Sequence, residues 1–227
     1  MESAYSTRTD TAQPKLRGVA LPAAALVGVN VVLMYLVAAT PLAVLNDLLF
    51  AVPILGLLVY GAALTVGDIV AERGLESGSM GTALVGIALL QGAYALFGGG
   101  ILARIGTDAR VLVLGITLVV TVAMAVGITA YVYLRDREFS HWSKWSFGAF
   151  IVGVVLVAVG TFVPVVLIGG FVFIFLGFTL RLGYEIWHVK ASYDPTRSLR
   201  HALGIYVAFT GVFVHVLQIV MRMFVDR

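Results

Sequence analysis

From Trp145 to Leu180 the chain carries no charged residue. As one straight helix this stretch would run ~54 Å, far more than the ~30 Å hydrocarbon core of a bilayer. A break is required, and Pro164 supplies it by removing a backbone N–H and fixing φ. The stretch therefore reads as a tight hairpin of two apolar helices, 145–162 and 164–189. Five more runs long enough to cross a bilayer occur at 18–40, 48–70, 80–102, 110–134 and 201–224, separated by charged or turn-forming segments. The expected fold is all-α, a bundle of seven transmembrane helices.

Composition supports that class, because 60% of the 227 residues are hydrophobic and 12% charged, whereas about a quarter of a soluble domain is charged. The first 17 residues are polar. The apolar run that follows is too long for a signal-peptide core of ~7 to 15 residues, so it reads as a retained first span. The expected organisation is a polar cytoplasmic segment, 1–17, followed by one membrane domain, 18–227. An N-terminus inside and a C-terminus outside puts eleven of the 15 Lys and Arg residues on the cytoplasmic side, leaving Arg104, Arg110, Arg222 and Arg227 outside, as the positive-inside rule requires.

Several function classes drop out. With no cysteine, disulfides, thiolate metal sites, iron–sulfur clusters and cysteine nucleophiles are excluded. The net charge of +3 comes from basic residues spread over loops and helix ends, so nucleic acid is not an expected partner. The three lysines, Lys15, Lys144 and Lys190, fall outside the expected spans, which excludes a retinal Schiff base in the last helix. No Ser/His/Asp set or HExxH motif is present, and an enzyme is not expected. The glycine pairs and triplets, such as Gly98-Gly99-Gly100, suit close helix packing.

The informative ionisable residues are few. Glu185 lies ~9 Å inside the sixth span and is flanked by apolar and aromatic residues. Acids within spans mark ion paths, proton relays or paired charges. Arg181, one turn earlier, can pair with it. Asp68 lies near the cytoplasmic end of the second span beside Glu72 and Arg73, where a solvated helix terminus is the simpler reading. His215 lies well inside the last span, where a hydrogen bond to a neighbouring helix competes with metal or proton binding. His201 and His215 share a helix face, so a haem-bearing electron-transfer protein is a third reading.

Several landmarks, in order, resemble the Bax-inhibitor family over about 47–220. Leu48-Leu49-Phe50 with Gly56 resembles the opening of the family's second helix. Tyr94-Ala95-Leu96-Phe97-Gly98 resembles its third, one residue shorter. Tyr131 with Arg135-Asp136-Arg137-Glu138-Phe139-Ser140 resembles the turn before its fifth. Leu182-Gly183-Tyr184-Glu185 resembles its Tyr-Asp in helix six, and Ala202-Leu203-Gly204-Ile205-Tyr206-Val207-Ala208-Phe209 its Ala-Leu-x-Leu-Tyr-Leu-Asp-Phe in helix seven. The resemblance implies a bundle with a central last helix and a pH-sensitive calcium leak controlled by two aspartates on helices six and seven.

Two departures follow. The helix-six acid is Glu185, and the helix-seven acid falls on Ala208, which binds neither proton nor cation. The family's helix-two arginine falls near Gly67 and Asp68. A substitute pair is expected, Asp68 with Glu185, with Arg181 neutralising one of them and only weak calcium binding, since two carboxylates are far fewer than six to eight oxygens. No other cofactor is expected. The expected protein sits in the cell membrane with lipid and calcium or another cation as partners. The alternative is a non-conducting scaffold or regulator of other membrane proteins.

Overall fold

The computed structural model describes residues 16–135 and 137–225. The polar segment up to Lys15, together with Asp136 and Arg227, lies outside the described residues. Among the described residues there is helix and no strand. The helices are α1 (Leu16–Ala38), α2 (Ala43–Leu49), α3 (Pro53–Glu76), α4 (Met80–Leu102), α5 (Thr107–Leu134), α6 (His141–Gly160), α7 (Val166–Ser192) and α8 (Ser198–Val225), with a short 3₁₀ turn at Pro195–Arg197 before α8. All but α2 are long and apolar enough to cross a membrane.

The expected second span, 48–70, differs from α3. Its first residues belong instead to α2, and Val52 is extended at φ −116°, ψ 108°, the conformation favoured before a proline. Pro53 then starts α3, where its missing N–H is harmless. The helix runs on past Asp68 to Glu76, and Gly78, with a φ of +71°, then reverses the chain. The hairpin breaks where Pro164 requires, between Gly160 and Val166. α5, α6 and α8 begin three or four residues before the expected spans, because polar residues at a membrane interface remain helical.

α8 is the central helix. Of its apolar window, 78% is buried, against 50% or less in every other span. It touches α1, α3, α4, α5 and α7. The physical reason lies in its sequence. Lipid is as apolar as leucine, so polar side chains favour the inside of a membrane bundle, and α8 carries His201, Tyr206, Thr210 and His215, all buried. The outer faces of the other spans carry exposed Leu21, Val119, Phe147, Val172 and similar side chains, a surface suited to hydrocarbon and not to water.

Two devices fix the packing. Between α3 and α4, a Cβ at Gly86 would collide with the backbone of Ala71, so the helices approach backbone to backbone. Between α1 and α4, Asn30 Nδ2 donates to Gln91 Oε1 (2.7 Å) and to the Gln91 carbonyl (3.0 Å), while Gln91 Nε2 donates to the Leu26 carbonyl (2.9 Å).

Candidate functional site

Arg181 and Glu185 lie one turn apart on α7, on the same face. Arg181 Nε donates to Glu185 Oε1 at 3.0 Å, and Arg181 Nη2 reaches Asp68 Oδ2 on α3 at 3.4 Å. One guanidinium thus bridges two carboxylates from different helices. The second oxygen of Asp68, Oδ1, is buried without a hydrogen-bond partner. Asp68 is not at a solvated helix terminus. Because α3 continues to Glu76, Asp68 lies ~12 Å from the helix end.

The same face of α3 carries Glu72 and Glu76, spaced one turn apart. Both bind Arg200 of α8: Nε reaches Glu72 Oε1 at 3.4 Å and Nη1 reaches Glu76 Oε1 at 2.7 Å. Side-chain exposure falls from 54% at Glu76 to 37% at Glu72, 21% at Asp68 and 10% at Glu185. The four carboxylates therefore form a row leading from the surface into the bundle, and among the described residues two guanidiniums, Arg181 and Arg200, pair with them. The spacing of residues 68, 72 and 76 was visible in the sequence; the partner Arg200 on α8 was not.

Glu185 faces α8 at Gly204, where a Cβ would meet its carboxylate. Ala208, the position of the second acid in the resemblance, is fully buried one turn further along α8. His215 is not part of this cluster: from Gly204 it is ~16 Å along the helix. Its ring is enclosed by Phe171, Phe175 and Phe178 at centroid distances of 5.1, 5.8 and 5.5 Å. Nδ1 lies 2.8 Å from the Gly211 carbonyl, which can only accept, so Nδ1 carries the proton. His188 and His201 stand edge-on with centroids 5.1 Å apart, leaving no gap for a haem between them.

Beyond the carboxylates lie three tyrosines. Tyr94 OH donates to the Val207 carbonyl at 2.7 Å, and its ring meets Tyr206 and Tyr60 edge-on at 6.0 and 5.9 Å. Tyr60 in turn lines a cavity of about 580 Å³ that also includes His215 and Gln218 and reaches Arg104 and Arg222. The bundle thus has a charged row at its Arg200 end, a cavity at its Arg104 end, and tyrosines in between.

A sequence model described as "Inhibitor of apoptosis-promoting Bax1" matches residues 17–224. The chain belongs to the Bax inhibitor family. No curated protein and no solved structure matches it. In this Bax inhibitor family protein, the two-acid arrangement expected on the last two spans has one member, Glu185, and the second carboxylate at Arg181 comes from α3 instead. Among the described residues no three His, Asp or Glu side chains converge as a metal site would require. Arg181 occupies the space between Asp68 and Glu185.

Proposed function

We propose that this multi-pass membrane protein is a cation leak pathway, with calcium as the ion that the family resemblance implies, closed by Arg181. The observation that carries the reading is the guanidinium shared by Asp68 and Glu185 at the inner end of a row of carboxylates. With the N-terminus inside, that row opens to the cytoplasm, and the cavity beside Tyr60 opens to the outside of the cell membrane.

The chemistry is simple. Carboxylates attract hard cations such as calcium, but two of them fall well short of a tight site, so an ion would bind briefly and move on. While Asp68 and Glu185 are ionised they hold Arg181 across the path. Protonation of either removes its attraction for the guanidinium, so the leak rises as pH falls. Tyr94 lies within electrostatic reach of Asp68 and Arg181, and Glu72 and Arg200 complete the charges around the cluster. The test is calcium flux in liposomes at several pH values, comparing the native protein with Glu185→Gln. The variant is expected to leak faster at neutral pH and to respond less to acid. Identical fluxes would remove Glu185 from the mechanism, and absence of any flux, with a co-purifying membrane protein, would favour the scaffold reading.

A further inference from the structure

At the Arg104 end of the bundle, the cavity of about 580 Å³ beside Tyr60 has two kinds of wall. Its sides are hydrocarbon, from Leu57 on α3, Phe97 on α4 and Ile174 on α7. Its outer part is polar, with Asn46 on α2, Arg104 beyond the end of α4, and Gln218 and Arg222 one turn apart on α8. From Arg222 in to His215 it is ~10 Å deep at helical rise. Ligand sites in proteins share this make-up: roughly 300 to 1,000 Å³, apolar walls and a few placed polar groups.

We propose that this cavity binds a monocarboxylate with an apolar body, the chemistry of a medium-chain fatty acid. Three observations select that ligand. The first is charge. The described residues that line the cavity include two guanidiniums and no carboxylate. Asp47, which is not part of the lining, meets Arg104 at 3.0 Å, but the two side chains are 61% and 60% exposed, and pairs so exposed are weak. Arg222 lies over the Phe171 ring at 5.8 Å and has no carboxylate partner among the described residues. Such a lining favours an anion over a metal cation.

The second is hydrogen bonding. Asn46 is 2% exposed, yet its Oδ1 is buried without a partner and no described residue bonds its Nδ2. It sits against Gly100 on α4, where a Cβ would overlap its side chain, one turn before Arg104. A buried amide without a partner is costly, and a ligand oxygen beside Arg104 can accept from Nδ2. The third is the apolar depth. A bare inorganic anion would make no use of the hydrocarbon walls, whereas an alkyl body buries its surface against them. The site is read from the cavity alone and does not depend on cation conduction.

The experiment uses the full chain in phosphatidylcholine nanodiscs at neutral pH, with tritiated decanoic acid as the probe and empty nanodiscs as the measure of partition into lipid. Saturable binding is expected, displaced by unlabelled decanoate and not by decanol, which has the same body and no charge. Arg222→Gln, at an exposed position, should weaken binding about tenfold, equivalent to ~1.4 kcal/mol, and Arg222→Lys should weaken it less. Asn46→Leu exchanges the unpaired carboxamide for an apolar group of similar size, so it should weaken binding without lowering thermal stability. Binding no greater than in empty nanodiscs, or unchanged affinity in both Arg222→Gln and Asn46→Leu, would overturn the site. Equal displacement by decanol would overturn the carboxylate.

Discussion

The carboxylate of Glu185 on α7 rests against the bare Cα of Gly204 on α8, and a Cβ built there would stand 2.5 Å from Oε2. A buried acid in a membrane bundle thus owes its position to a missing side chain on the neighbouring helix. The atom in the way is the end of a flexible side chain, so an added methyl group would displace the carboxylate before it displaced a helix. Gly204→Ala is therefore expected to loosen the bond between Arg181 and Glu185 and raise cation leak at neutral pH. In a Glu185→Gln background the same substitution should add little, since residues in contact are not additive. Flux from the two single variants and the double variant in liposomes checks this, and full additivity would separate Gly204 from Glu185.

Arg181 joins two carboxylates, and its removal leaves both without their shared partner. Breaking a fully buried ion pair from one side costs ~3 to 5 kcal/mol. Arg181 keeps 35% of its side chain exposed, so Arg181→Gln is expected to cost less, ~2 to 4 kcal/mol. Adding Asp68→Asn removes one of the two orphaned charges and should recover part of that loss. Thermal unfolding of the purified variants in one detergent reads both effects. A double variant less stable than Arg181→Gln alone would contradict the shared-guanidinium arrangement.

Much of the fold follows from short-range signals. The uncharged stretch from Trp145 to Leu180 demands a hairpin, and Pro164 marks its turn; both depend only on neighbouring residues. The pairing of Arg181 with Glu185 is similarly legible, because i and i+4 share a helix face. The start of α3 differs from that of the expected span because hydropathy alone does not separate the apolar α2 from the helix that Pro53 begins. That shift put Asp68 at a helix end when it lies two turns inside. The spacing of Asp68, Glu72 and Glu76 was open to reading as an acidic face, but which cation meets it depends on α8 crossing α3, and no local pattern carries that. Gly204 falls in the run that resembles the family's last helix, whereas its contact with Glu185 depends on how closely α7 and α8 approach.

In the sequence Asn30 interrupts the first apolar run. In the bundle it is fully buried and holds α1 to α4 through Gln91. Hydrogen bonds between membrane helices are worth ~0.6 kcal/mol on average and up to ~1.7. Asn30→Ala is expected to lower stability by about 1 to 2 kcal/mol, since the Gln91 side chain loses a partner as well. Cation flux per folded molecule should not change, because the clamp lies away from the row of carboxylates. Unfolding and flux measured on the same preparation distinguish the two outcomes. A changed flux at unaltered stability would tie α1 to the pathway.

Asp194 lies outside the spans, in the turn that carries the chain from α7 into α8. Its Oδ1 accepts from the Thr196 backbone N–H at 2.9 Å and from the Thr196 hydroxyl at 2.7 Å. These bonds favour the ionised form and, with Arg197 nearby, hold its carboxyl below the usual aspartate range. A depressed value in the folded protein means that the stabilising contribution is complete above the unfolded value, ~3.9, and is lost as pH falls through the lower folded one. The turn is therefore expected to stay intact through the mildly acidic range in which a leak gated by protonation would open. Hydrogen exchange at the Thr196 amide should show constant protection from neutral pH down to the ordinary aspartate range and loss only below it. In Asp194→Ala that protection should be low at every pH. Loss of protection well above the aspartate range in the native protein would show that another group controls the turn.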